Sequence, residues 1–151
     1  RLSSMVGNYD YIMLDCPPSL GLITINALTF AKEVFIPLET KVLALNGLVT
    51  LMNTVQVVKE RLNHGLEVTG IIACRFDGRT NLSNEVYNQI KERFKEKVFN
   101  TIIRENTRLA ECPISGKPIT LYAPESTGAA DYTDLAKEVV ERENRFKEIK
   151  K

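Results

Sequence analysis

The sequence has 151 residues, 44% hydrophobic and 26% charged, which fits one folded globular domain and excludes a disordered or collagen-like chain. Twenty Lys and Arg against 19 Asp and Glu leave a net charge of +1, so any nucleic-acid-binding face has to be local. Three widely spaced cysteines, Cys16, Cys74 and Cys112, form no CxxC pair and favour reduced thiols in a cytoplasmic protein over a disulfide or zinc framework. No apolar run approaches the ~20 residues of a membrane span, and no signal peptide opens the chain. Residues 1–151 are expected to form a single domain, with 141–151 as a charged tail.

The run YDYIMLDCPPSLG at residues 9–21 is the most informative stretch. Ile12, Met13 and Leu14 predict a strand buried on both faces, as in a parallel sheet, ending in Asp15. Pro17, Pro18 and Gly21 then prevent its continuation. A carboxylate at the C-terminal tip of such a strand lies where open α/β sheets bind ligands. In phosphate-binding folds it suits Mg²⁺, held directly or through water. The same acid can equally serve to cap the following turn.

Residues 20–31 read as a short helix and 33–38 (EVFIPL) as a buried strand. The clearest helix follows, with Leu48, Leu51, Met52, Val55, Val58 and Leu62 at i, i+3, i+4 spacing and Asn53, Gln56, Lys59 and Glu60 outward. Asn63-His64-Gly65 ends it, so the single histidine is expected at the surface or in a cap. Residues 66–74 (LEVTGIIAC) predict a strand, 75–81 a polar loop, and the next segment a helix with Leu82, Val86, Ile90 and Phe94 on one face. Lys91, Arg93, Lys95 and Lys97, interleaved with Glu92 and Glu96, look like the solvated side of that helix. Residues 98–103 predict another strand and 107–111 a short helix or turn. Residues 113–118 predict a turn-rich loop, and 119–122 a short extended piece.

Ser126 or Thr127 is expected to cap a last helix buried through Tyr132, Leu135, Ala136, Val139 and Val140. Asp131 and Asp134 suit its dipole. Beyond it, Arg142, Arg145, Lys147, Lys150 and Lys151 belong to the solvated tail and could graze DNA, although Glu141, Glu143 and Glu148 dilute them. Strands alternating with helices predict an α/β fold with a mainly parallel sheet between helical layers.

YDYIMLDCPPSLG with TINAL at 24–28 resembles the Walker B and switch region of the ParA/Soj chromosome- and plasmid-partitioning ATPases. FDGRTNLSNEV (76–86), TRLAECPISGKPITLY (107–122) and STGAADYTDLAKEV (126–139) match that family in the same order. RTNLSNEV and SGKPI fit the partitioning branch better than the related MinD or nitrogenase iron-protein groups. No GxxxxGK[ST] or KGGxGK phosphate loop is found, because the only Gly-Lys pair, Gly116-Lys117, is followed by Pro118. The resemblance therefore implies a P-loop NTPase-like fold incomplete at its N-terminus, the C-terminal part of a longer ATPase, inactive by itself.

The resemblance further implies ATP and Mg²⁺ as cofactors. Asp15 would be the Walker B acid, acting on Mg²⁺ through water, and Cys16, Pro17, Pro18 and Ser19 would start a γ-phosphate-sensing switch. The adenine would lie between Cys74-Arg75 and Arg104-Glu105-Asn106. Relatives have proline then arginine where this chain has Arg104 and Glu105, which leaves Asn106 the best-matched polar residue. Arg79 and Arg108 occupy positions where these ATPases place arginines that bind DNA without sequence preference, with Lys117 adding to the face. Expected partners are non-specific duplex DNA, a ParB-type centromere-binding protein and a second copy in an ATP-dependent homodimer, at the nucleoid in the cytoplasm and with no membrane. Two other readings stay open: a non-catalytic interaction module of the same fold, and a MinD-like positioning ATPase. Phe146 and Ile149 alone supply too little apolar surface for the membrane-inserting helix of the latter.

Overall fold

The computed structural model describes residues 2–17 and 19–149. After a short 3₁₀ turn (Leu2–Met5) the elements are α1 (Leu22–Phe30), β1 (Glu33–Glu39), α2 (Val42–Arg61), β2 (Glu67–Cys74), α3 (Asn81–Phe94), α4 (Thr107–Ser115), α5 (Ile119–Tyr122) and α6 (Thr127–Ile149). β1 and β2 pair in parallel from Glu33 opposite Glu67 to Glu39 opposite Cys74, with an irregularity between Val34 and Phe35. Residues 98–104 lie along the other edge of β2, also parallel, through bridges at Ile71–Val98 and Phe76–Arg104. Phe99 N–H donates to Ile71 at 2.9 Å and Ile103 N–H to Ala73 at 2.9 Å. The result is a parallel α/β sheet with helical crossovers, as the alternating pattern predicts.

Side-chain alternation along β2, reset by the irregularity that leaves Thr69 without a partner on β1, separates two cores and brings Val68 and Ile71 onto the same face. On one face Val68 and Ile71 join Leu28, Leu48, Val55, Val58, Val86 and Ile90 from α1, α2 and α3. On the other, Ile72 packs with Phe99 and Ile103, and Leu109, Leu135 and Val139 from α4 and α6 cover them. Gly70 is required here by space. A Cβ at that position would lie 2.3 Å from a carbon of Phe99 and 2.6 Å from one of Phe35, two rings in edge-to-face contact with centroids 5.6 Å apart.

Several expectations are corrected. Residues 11–17 join no sheet ladder, and their exposure alternates, with Met13 86% exposed. A doubly buried parallel strand needs hydrogen-bonding neighbours on its edges. Among the described residues no strand pairs with it, and the free edge of β1 is likewise unpaired. α2 starts six residues before its apolar stripe. Residues 113–118 are not wholly loop, because α4 runs through Pro113 to Ser115 and stops at Gly116, whose φ of 63° suits glycine. Residues 119–122 form one helical turn rather than an extended piece, opened by Pro118. Tyr132, Ala136 and Val140 are exposed, and the buried face of α6 carries Ala129, Asp131 and Glu138 instead. Ser126 does cap it, accepting from Ala129 N–H at 3.2 Å.

Candidate functional site

The C-terminal ends of β1, β2 and residues 98–104 form one crest, the location at which open parallel sheets bind ligands. Arg75, just past β2, ties the crest together. One guanidinium nitrogen lies 3.2 Å from Glu39 at the end of β1, and another 3.2 Å from Glu105. Its φ of 50° is in the left-handed region, an uncommon backbone for arginine. Glu105 first, then Glu39, hold the guanidinium charged. Behind it, buried Thr40 donates to Ser83 at the start of α3, at 3.2 Å.

Beside the strap an open cleft of about 560 Å³ is lined by Phe76, Asp77, Gly78, Arg79, Arg104, Glu105 and Thr107. Two of the predicted site arginines thus share one cleft, but they are held differently. Arg104 is clamped to α6: Asp131, with a side chain 8% exposed, accepts its backbone N–H at 3.0 Å and its Nε at 3.1 Å. Arg79 stands 89% exposed and forms a bidentate pair with Asp77, both contacts at 2.9 Å. Hydrogen bonding from Arg79 lowers the Asp77 pKa.

Asn106 lies at the edge of the cleft with its amide engaged. Its oxygen accepts from Arg108 N–H at 2.8 Å as the cap of α4, and its nitrogen donates to Thr127 at 2.7 Å. Cys74 packs into the core below the crest, and burial pushes its thiol pKa up to about 11. Arg108 pairs with Glu111 at 3.0 Å. That carboxylate also accepts the Tyr122 hydroxyl at 2.9 Å, and this hydroxyl, then Arg108, lowers its pKa. Lys117 lines a separate, mostly apolar hollow of about 500 Å³ with Leu109, Pro113, Ile119 and Tyr132.

Asp15 is exposed, and among the described residues its carboxylate forms no hydrogen bond or ion pair. Buried Thr24 fixes the turn that follows, donating to Ser19 at 2.7 Å, with Pro17 at 3.5 Å. Pro18 lies outside the described residues. No group of three or more His, Cys, Asp or Glu side chains able to hold a metal occurs among the described residues. One free carboxylate nevertheless fits a Mg²⁺ ion whose other ligands are phosphate oxygens and water.

Sequence reasoning missed a set of groups on α6. Glu138 accepts the backbone N–H groups of Asn100 and Thr101 at 2.9 and 2.8 Å. It also pairs with Arg142 at 2.8 Å. Arg142, expected in the solvated tail, instead donates to the carbonyls of Glu96 and Val98 and stacks 4.0 Å from the centre of the Phe99 ring. Asp131, read as a helix-dipole acid, is the partner of Arg104. The available signal is spacing: Asp131, Leu135, Glu138, Val139 and Arg142 fall on one helical face, so charged residues sit within the apolar stripe.

An AAA-domain family model matches residues 1–68. The chain is 51% identical to the sporulation initiation inhibitor protein Soj of Bacillus subtilis over 91% of its length and 54% of that protein's. It is 44% identical to the chromosome partitioning protein ParA of Myxococcus xanthus, covering 94% of the chain and 50% of that protein. For the chromosome-partitioning ATPase Soj of Treponema pallidum the identity is 45%, over 95% and 57%. The chain thus spans about half the length of the curated relatives it matches. Among solved structures, cobyrinic acid a,c-diamide synthase from Mycobacterium smegmatis superposes with a TM-score of 0.73 at 28% identity, covering 92% of this chain and 50% of that one. The same enzyme with bound ADP and magnesium gives 0.63 at 29% identity, over 77% and 52%.

Proposed function

We propose, for a chain homologous to the Soj and ParA chromosome-partitioning proteins over 91% or more of its length, that it is the C-terminal part of an ATP-dependent DNA-partitioning ATPase. The homology carries the reading. The parallel sheet with its ligand-binding crest is consistent with it, as is the nucleotide-bound state of the similar synthase.

In this reading the whole protein binds ATP and Mg²⁺, joins a second copy, and coats duplex DNA without sequence preference until a ParB-type partner stimulates hydrolysis. The phosphate loop belongs to the part of the protein outside this chain. Asp15 orients the metal's water shell, and bound Mg²⁺ supplies charge neutralisation at the phosphates. Thr24 holds the turn after Asp15, so that nucleotide state reaches α1 through a stiff segment. Phe76, Arg104 and Glu105 line the cleft offered to the base, near Cys74 and Asn106. Arg79, Arg108 and Lys117 face DNA.

The test uses the intact protein. Asp15→Asn should keep fold and some nucleotide binding but lose Mg²⁺-dependent hydrolysis, because an amide lacks the charge the metal needs. Arg79→Ala with Arg108→Ala should weaken ATP-dependent binding to two unrelated duplexes equally and leave ATP-driven dimerisation unchanged. In a two-fold dimer each substitution removes two phosphate contacts, so the salt dependence should become shallower by about two units of slope per substitution and about four in the double variant. Unchanged hydrolysis in the first variant and unchanged affinity in the second would refute the reading.

A further inference from the structure

We infer that Asp77 and Glu111 are guard carboxylates, Asp77 occupying the guanidinium fork of Arg79 and Glu111 one arm of Arg108, until DNA phosphate displaces them. This inference rests on the DNA-binding reading above and concerns how that surface is regulated.

The geometry supports it in three ways. First, Asp77 meets Arg79 as a phosphate would, with one carboxylate oxygen on Nε and the other on Nη2, both at 2.9 Å. Second, each acid is held in place by a group other than the arginine side chain. Asp77 accepts the backbone N–H of Arg79 at 3.1 Å in a local turn, and Glu111 accepts the Tyr122 hydroxyl through the same oxygen that faces Arg108. Third, in each pair the acid is the more sheltered member. Side-chain exposure is 24% for Asp77 against 89% for Arg79, and 36% for Glu111 against 61% for Arg108. The open side of each guanidinium therefore faces solvent. Arg104 shows the contrast, because its partner Asp131 is buried and a phosphate has no route to replace it.

Exposed ion pairs of this kind shift an equilibrium by about twofold to fivefold. That is weak enough for a polyanion to displace. It is also enough to keep the surface locally neutral when DNA is absent, which fits a protein that binds DNA and must then be released from it.

The test is titration of the intact protein, with ATP and Mg²⁺, against two unrelated duplexes. Asp77→Asn and Glu111→Gln each keep an acceptor oxygen for the backbone N–H or the tyrosine hydroxyl, so the local fold is retained. Each should tighten binding by about twofold to fivefold per pair released. Tyr122→Phe should give a smaller gain in the same direction by loosening Glu111. The gain should vanish in the doubles Asp77→Asn/Arg79→Ala and Glu111→Gln/Arg108→Ala. Glu85→Gln, which neutralises an exposed acid hydrogen-bonded to Gln89 rather than to an arginine, should leave affinity unchanged.

If the single arginine variants bind as the parent does, the DNA-binding reading fails, and the guards with it. If the arginine variants bind weakly while Asp77→Asn and Glu111→Gln give no gain, the guard inference alone is overturned. A gain that persists without the arginine, or that Glu85→Gln reproduces, also overturns it, because it reports long-range charge rather than a guarded fork.

Discussion

Replacing Glu138 tests whether α6 is held to the sheet by its buried acid rather than by apolar contact alone. The carboxylate accepts from the backbone N–H groups of Asn100 and Thr101 and from Nε and Nη2 of Arg142, four contacts between 2.8 and 3.1 Å. Hydrogen bonds to a charged acceptor contribute about 1.5–3 kcal/mol each. Arg142 keeps the Glu96 and Val98 carbonyls and its stack on Phe99, which limits the loss on that side. Breaking a buried pair from one end costs about 3–5 kcal/mol, and Glu138→Ala should fall in that range. Glu138→Gln keeps one acceptor oxygen and should cost about half as much. Burial raises the Glu138 pKa, but the amides of Asn100 and Thr101 together with Arg142 more than offset this, and the net shift is below its ordinary 4.5. A depressed folded pKa stabilises above the unfolded value and is lost as pH falls through the folded one. The parent should therefore lose stability progressively below about pH 4.5, and Glu138→Gln should show a shallower acid limb. Urea unfolding of the intact protein between pH 3 and pH 7 measures both effects. A loss below about 1 kcal/mol for Glu138→Ala, or an unchanged acid limb for Glu138→Gln, would refute the clamp.

Three further substitutions or reactions are decided by local geometry. Gly70→Ala should destabilise by about 1–3 kcal/mol through overpacking against Phe35 and Phe99, and Phe99→Leu in the same chain should recover part of it; thermal unfolding reads both. Arg104→Ala should cost about 1–3 kcal/mol by leaving the Asp131 carboxylate underpaired, and Arg104→Lys should rescue little, because an ammonium cannot reproduce the planar fork. Cys74, its thiol pushed up to about 11, should alkylate with iodoacetamide at pH 8 far more slowly than Cys16 or Cys112, as peptide mass spectrometry of the folded protein would report.

The elements that were legible in the sequence are those whose signal is local. β1, α2, β2 and α3 each carry an apolar period of 2 or 3.6, or a continuous apolar run, bounded by polar or glycine residues. The segment with Asp15 carries a strong strand pattern too. Strand formation there depends on neighbours the pattern cannot supply, so the described chain leaves it outside the sheet, with Ile12, Leu14 and Cys16 only half-buried. Ile119-Thr120-Leu121 shows the opposite failure. Its residues favour strands, yet Pro118, with φ of −66°, opens a helical turn that Ala123 N–H closes onto Ile119. Intrinsic β-preference is weaker than the geometry of a four-residue corner packed against α4 and α6.

The site divides along the same line. Asp15, Arg79 and Arg108 stand out in the sequence because each sits inside a contiguous motif. Their electrostatic partners followed different rules. Asp77 and Glu111 lie two and three residues from their arginines and were accessible to a local search. Glu39 and Glu105 meet Arg75 across 36 and 30 positions, and Asp131 meets Arg104 across 27. Those pairings exist only after the sheet has aligned its three C-terminal ends. The acids on α6 follow from that arrangement. The outer edge of residues 98–104 has no further strand among the described residues, and its backbone groups still need partners. Asp131 and Glu138 accept its N–H groups, and Arg142 donates to the Val98 carbonyl and to that of Glu96 just before it. Helix α6 thus satisfies part of that edge with side chains, as a further strand would with its backbone, so a charged residue on its apolar stripe signals an edge being closed rather than a catalytic group.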